Sequence, residues 1–182
     1  MRKLFTIALF ATLGMIATSC SDNDDAFYVS TSGEGSIVVN SDFPTYLYRM
    51  VLFSNETEQE IYLMGNSAYV DSNGDFIGRG GVVKISVPNE GDNYQLLEQT
   101  FDIGSSEYSV SYSPYVNYSS DDGSYDFVTI ESGTVLIRRS GNYYDIRLLG
   151  SDTDSDNLII TYRGYVYRWF YDDSESDTRS LD

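Results

Sequence analysis

The chain has 182 residues with 28 acidic and 11 basic side chains, a formal net charge of −17, no histidine and a single cysteine. Those absences exclude Ser-His-Asp and Cys-His nucleophile systems, imidazole bases, His-ligated zinc, internal disulfides and CxxC redox pairs, so neither a cofactor nor a metal is expected. With 17 Tyr and 9 Phe the chain is too rich in rings for a disordered polymer, and its length suits one domain.

Arg2 and Lys3 form a positive n-region, and Leu4 to Ala17 form an apolar stretch of 14 residues. That stretch is shorter than the roughly 20 residues a spanning helix needs, so it reads as a signal segment. Thr18 and Ser19 place small residues directly before Cys20. This arrangement resembles the lipobox of bacterial lipoproteins, in which cleavage precedes the cysteine and its sulfur and new N-terminus are acylated. Ala17 stands where the lipobox usually has leucine. The resemblance implies lipid attachment at Cys20 and a partner in the outer membrane. The run Ser21-Asp22-Asn23-Asp24-Asp25 is similar to the export signal by which one group of Gram-negative bacteria sends lipoproteins to the outer face of that membrane, so the body is expected to face the exterior. Acyl chains gain about 0.8 kcal/mol per buried methylene, and two or three hold a chain without a transmembrane helix. Residues 1–19 are thus assigned to the signal, 20–26 to a lipidated acidic linker, 27–171 to one antiparallel β domain and 172–182 to an acidic tail. Removal of Arg2 and Lys3 leaves 28 acids against 9 bases, a charge that repels nucleic-acid phosphates. Nucleic acid is therefore excluded as a partner.

From Ala26 onward, period-two stretches alternate with Gly, Asn, Asp and Ser clusters, which predicts an all-β domain. Strands are expected at Ser36–Asn40, Thr45–Phe53, Glu60–Met64, Ala68–Asp71 and Phe76–Gly78. Asn73-Gly74 between the last two predicts a hairpin with a type I′ turn, which needs positive φ at both central positions. Val83, Ile85 and Val87 are expected inward, with Lys84 and Ser86 outward. The segment from Asn93 to Phe101 fits either a helical spacing (Tyr94, Leu97, Phe101) or a strand (Tyr94, Leu96), so at most one short helix is expected. Tyr108, Val110, Tyr112, Val116 and Tyr118 share one face of a strand that Pro114 should bulge, break or confine to an edge. Asp122-Gly123 and Ser140-Gly141-Asn142 predict further turns between the strands Tyr125–Ile130, Thr134–Arg139 and one in which Tyr144, Ile146 and Leu148 point inward and Asp145 and Arg147 outward. Leu158, Ile160 and Tyr162 continue the inner set. Ten or more strands in so small a domain imply an antiparallel meander closed into a barrel or partly open barrel, with a two-sheet sandwich as the alternative.

The acidic loop Asp152-Thr153-Asp154-Ser155-Asp156-Asn157 alternates carboxylates as calcium loops do, but its sixth position is Asn157 rather than glycine and its twelfth is Arg163 rather than glutamate. A solvated turn is the expectation, and no metal site is assigned. After Gly164 the odd positions Tyr165, Tyr167, Trp169 and Tyr171 fall on one strand parity, opposite Val166, Arg168 and Phe170. They are the candidate ligand-binding residues, either as a flat platform for sugar rings or as the wall of a cavity for a small apolar ligand; the competing reading makes them the core face. No catalytic residue is assigned. The many carboxylates leave glycan hydrolysis open, but the strand acids such as Asp145 lie on the polar parity.

The C-terminal half, with Ser132-Gly133-Thr134-Val135-Leu136-Ile137, then Tyr144-Asp145-Ile146, an acidic turn and Ile160-Thr161-Tyr162-Arg163-Gly164, resembles small β-barrel lipoproteins of gut anaerobes with calycin-like or lipocalin-like folds. That resemblance implies a barrel and a small-molecule partner, although the glycine-tryptophan signature near the first lipocalin strand is missing. The expected function is a non-enzymatic surface module that binds a glycan or small apolar ligand or is associated with the envelope. The alternatives are a structural or adhesive subunit and a carboxylate-dependent glycan hydrolase. Oligomeric state is left open.

Overall fold

The computed structural model describes residues 33–90, 95–118, 126–154 and 156–171. Cys20 with its signal and linker, Tyr94, Asp122-Gly123 and the acidic tail lie outside the described residues. Eleven strands make up the described chain: β1 (Glu34–Val39), β2 (Thr45–Leu47), β3 (Arg49–Ser54), β4 (Glu58–Met64), β5 (Ala68–Val70), β6 (Phe76–Pro88), β7 (Gln99–Ile103), β8 (Ser109–Asn117), β9 (Val128–Ser140), β10 (Tyr143–Asp152) and β11 (Asn157–Tyr171). Several stretches read as separate strands are continuous in space. Phe76 and Val87 share β6, Ile130 and Thr134 share β9, and Leu158 and Phe170 share β11.

Seven strands pair in a closed circuit, β3-β4-β6-β8-β9-β10-β11 and back to β3, so the barrel reading holds and the sandwich alternative falls. All contacts in the circuit are antiparallel except β11 to β3, which is parallel. That closure depends on β1, which pairs with β11 on one side and β2 on the other. Where β1 begins, the N–H of Gly33 donates to the Tyr48 carbonyl at 2.7 Å, and beyond that point β3 lies directly on β11. Gly33 and Gly164 approach so closely there that a side chain on either would enter the Tyr162 ring or the facing backbone.

Inside the barrel, Leu47, Leu52, Ile61, Ile85, Val110, Ile137, Tyr144, Ile146, Leu158, Ile160 and Tyr162 pack as one buried cluster, in agreement with the inward parities expected for β6, β10 and β11. On β8 the expected single face is corrected: Val110 and Tyr112 belong to the inner cluster, whereas Val116 and Tyr118 belong to an outer one, because the register shift near Pro114 reverses the parity beyond it. Barrels of about eight strands are just wide enough for side chains to fill, and this circuit has one fewer. The interior is therefore a packed core.

A second apolar cluster lies outside the barrel wall. Val51, Tyr62, Met64, Val82 and Val116 are buried there beneath Ala68 and Val70 of the β5–β6 hairpin, with Phe53, Phe76, Tyr118 and Phe170 packed against them. Ser86, which the alternation placed in solvent, is also buried.

Three local expectations are corrected or refined. No helix occurs among the described residues, and the ambiguous segment resolves as a loop followed by β7, with Leu96 and Phe101 both buried. The Asn73-Gly74 hairpin exists, but only Gly74 has positive φ (90°), and the Asp71 carboxylate accepts from the N–H groups of Asn73 and Asp75 at 2.8 and 3.1 Å. That side-chain cap lets Asn73 stay at negative φ, so a type I′ turn is not formed. Opposite Pro114 the β6–β8 register shifts between Gly80 and Val82, so β8 is bulged there rather than lost.

Candidate functional site

Across β2, β1, β11 and β10 the outward-facing residues line up in rows. Glu34, Arg163 and Asp145 are register partners across β1, β11 and β10, and Arg138 of β9 extends the row. The neighbouring row is Tyr46, Ser36, Thr161 and Arg147. Directly opposed side chains in antiparallel strands stand about 5 Å apart at Cβ, so each row is in contact along its length. Together with Tyr48, these rows, Arg138 excepted, line an open groove of about 700 Å³.

Asp145 organises the groove. Its carboxylate accepts from Arg147 Nε and Nη2 at 2.9 and 2.8 Å, a two-pronged contact along the same strand, and from Arg163 Nε at 3.2 Å across to β11. The hydrogen bond from Arg147 and then the two positive charges hold the carboxyl below its usual range against the opposing effect of burial. Both arginines stay about half exposed, with side-chain exposures of 49% and 57%. At one end of the groove the rings of Tyr46 and Tyr48 lie 6.5 Å apart. Beyond the Asp145 row, Tyr143 and Tyr165 face each other edge-on at 5.2 Å. Aromatic faces thus flank a fixed set of guanidinium donors.

The aromatic stretch singled out in the sequence is divided by the structure. Val166 is buried in the barrel core, and the β11–β3 register then shifts between Val166 and Arg168. Tyr165 is 39% exposed and stands opposite Tyr143 in the outward row next to the groove. Tyr167 packs on the second apolar cluster with the Arg49 guanidinium 5.8 Å from its ring centre. Trp169 stands opposite Leu52, which is an interior position, and is 37% exposed. Tyr171 pairs with Ser54 through its backbone. Four alternating positions therefore do not form one platform, because the bulge changes the parity midway. Neither the platform nor the core-face reading describes all of them.

A second groove of about 720 Å³ runs over the outer cluster between Tyr62, Phe76, Lys84 and Tyr118. Two of its polar groups share one partner: Tyr62 donates to Glu60 at 3.0 Å and Lys84 pairs with the same carboxylate. Burial, then Glu60, pushes the Tyr62 hydroxyl far above the ordinary phenol range.

The acidic loop after β10 is a turn built on Asp152, which is only 4% exposed. Its carboxylate accepts from Tyr112 Oη at 2.8 Å and from the N–H groups of Asp154 and Asp156 at 3.1 and 3.0 Å. Burial works to raise its pKa, but these bonds hold it below the usual range. Among the described residues no cluster of acids is arranged to hold a metal ion.

Of the groove residues, Asp145 and Arg147 were legible as outward positions of β10, whereas Tyr46, Tyr48 and Glu34 carried no signal until register brought β1 and β2 beside β11. Compared with protein-family models, curated proteins and solved structures, the chain matches none of them.

Proposed function

We propose that this chain is a calycin-like surface lipoprotein, held to the outer membrane through Cys20 and facing the exterior, whose barrel binds a glycan non-enzymatically in the groove across β2, β1, β11 and β10. The observation that carries the reading is the placement of Tyr46 and Tyr48 at one end, and of Tyr143 and Tyr165 beyond the other row, of a groove whose floor holds the Arg147–Asp145–Arg163 cluster. Flat apolar faces combined with a few fixed polar groups are what a sugar ring, apolar on its CH faces and polar at its rim, requires. An enclosed apolar ligand has less support, since packed side chains occupy the barrel interior.

Hydrolysis is the weaker alternative on chemical grounds. A glycosidase needs one carboxyl with a raised pKa to protonate the leaving group, and Asp145 is shifted the other way by its two arginines. The adhesive alternative draws on an exposed apolar row: Leu149 and Ile159 are register partners, and Phe43 projects from the β1–β2 turn 99% exposed.

The test is a glycan array followed by calorimetric titration of the hits. Tyr46→Ala and Tyr165→Ala should each weaken binding, while Phe76→Ala, in the opposite groove, should leave it unchanged. Binding lost in Phe76→Ala and retained in the other two would move the site, and no binding across the array would refute the glycan reading. Mass spectrometry of protein from its native host should find the Cys20 sulfur acylated; a free thiol there would refute the anchor.

A further inference from the structure

We infer that the groove recognises an acidic sugar, a glycan residue bearing a single carboxylate, which the guanidiniums of Arg163 and Arg147 bind. This rests on the glycan reading above and adds the charge of the ligand. The chain has 11 basic residues against 28 acidic ones, yet three of them stand on neighbouring outward positions of β9, β10 and β11. Arg138 and Arg163 flank Asp145 on either side, and Arg147 lies two residues further along β10. Asp145 does not use up this donor set. It occupies one N–H of Arg163, the Nε, and two nitrogens of Arg147. Among the described residues, Arg138 and the terminal nitrogens of Arg163 have no hydrogen-bond partner.

A surface ion pair alone contributes little to stability, so the arrangement has no strong structural rationale. Its effect on geometry is definite. Asp145 fixes the plane of the Arg147 guanidinium through two bonds and tethers Arg163 through its Nε, which leaves the two terminal nitrogens of Arg163, a residue that lines the groove, unpaired among the described residues. A guanidinium edge of that kind matches a carboxylate in a two-pronged contact. Asp145 is thus a positioning residue, and the arginines are the binding residues.

The overall charge restricts the ligand further. Beyond the Debye length of about 8 Å at physiological salt the arginines are screened, so a short ligand with one carboxylate experiences mainly the local cluster, in which Arg138, Arg147 and Arg163 outnumber Glu34 and Asp145. A densely charged polyanion would extend over the acidic remainder of the surface and be repelled. The favoured ligand therefore carries isolated carboxylates, as a terminal uronic acid does.

The experiment is calorimetric titration of the folded protein with three probes: a disaccharide ending in glucuronic acid, its methyl ester and heparin. The acid should bind about tenfold or more tightly than the ester, consistent with one charge-assisted hydrogen-bonded contact, and more tightly than heparin. Arg163→Gln should remove the preference for acid over ester while keeping the wild-type melting behaviour, because its side chain is 57% exposed, and Asp145→Asn should reduce the preference. Equal binding of acid and ester would overturn the charge assignment and leave the glycan reading standing. Binding of neither would overturn both. Tighter binding of heparin, or a preference that survives both Arg163→Gln and Arg147→Gln, would overturn the proposed ligand and its site.

Discussion

The two walls of the barrel use their outer faces differently. On the β10, β11 and β1 wall the outer face is wet: Thr161, Arg147, Arg163 and Asp145 line a groove, and only the inner residues are packed. On the β3, β4, β6 and β8 wall the outer face carries its own apolar cluster under the β5–β6 hairpin, so these strands are packed on both sides. Strands buried on one face alternate in sequence, and strands buried on both read as unbroken apolar runs. Both patterns are present: Tyr144-Asp145-Ile146-Arg147-Leu148 alternates, while Met50-Val51-Leu52 and Ile61-Tyr62-Leu63-Met64 do not. One wall thereby keeps a solvent-facing groove, while the other packs both of its faces.

The inner cores of the two walls should respond alike. Ile146→Ala, on the wet wall, and Leu52→Ala, on the covered one, each delete buried side chains and should cost about 2–5 kcal/mol in chemical denaturation. A much smaller loss on the wet wall would mean that its interior is loosely packed and would reopen the case for an enclosed ligand.

The outer faces should then separate the walls. Phe53 stacks on Phe170 at 4.7 Å and on Phe76 at 5.8 Å and meets the edge of Tyr62 at 5.5 Å. It is partly buried, so Phe53→Ala should cost about 2 kcal/mol, below the range for fully buried rings. A loss near zero would show that the outer cluster is a loose surface patch, and the contrast between the walls would fail.

Asp152 joins the two walls, because Tyr112 on β8 donates to a carboxylate at the end of β10. Replacing it by Asn leaves a weaker acceptor for the Tyr112 hydroxyl and two N–H groups, and should cost about 1–3 kcal/mol at neutral pH. The folded-state pKa lies below the unfolded one, so the stability this group contributes is fully present above the ordinary carboxylate range and is lost as pH falls through the depressed value. Asp152→Asn should therefore flatten the acid limb of the stability-versus-pH curve relative to wild type. An unchanged acid limb would refute the assignment of that carboxylate as an ionised structural group.

The inner faces of β10 and of β11 up to Tyr162 were legible because burial on one side imposes a strict alternation, whereas on β8 the bulge near Pro114 sends Val116 and Tyr118 to the outer cluster. Strand number in a short chain left barrel and sandwich both open, and the pairing of β11 with β3 decides for the barrel. Turn chemistry was less legible. Asn73-Gly74 has the composition of a type I′ turn but closes with a cap from Asp71 instead. The turn with positive φ at both central residues is Asn40-Ser41, at 48° and 68° and without glycine. What holds it is distant in sequence: Asn40 donates its side-chain amide to Asp156 at 2.5 Å and accepts from the Asn157 N–H at 2.9 Å. A window of a few residues contains no trace of that clasp. The groove was hidden for the same reason, since Glu34, Arg163 and Asp145 become neighbours only through register between β1, β11 and β10. The aromatic run after Gly164 misled because a one-residue bulge reverses every parity beyond it, and a bulge at Tyr167 has no glycine or proline to announce it.

The smallest expected effect on stability separates the walls most cleanly. Arg163→Gln and Tyr46→Ala alter exposed side chains on the wet wall, and each should change unfolding free energy by no more than about 0.5 kcal/mol. Exposed ion pairs gain little, because water already solvates both charges and the long side chains lose freedom on pairing. The same substitutions should weaken glycan binding, Tyr46→Ala generally and Arg163→Gln by the preference for the acidic sugar, a loss visible by titration and absent from the melting curve. A melting curve that moves as far for Arg163→Gln as for Phe53→Ala would mean that the Asp145 cluster braces the barrel, and the wet wall would then be structural surface rather than a binding face.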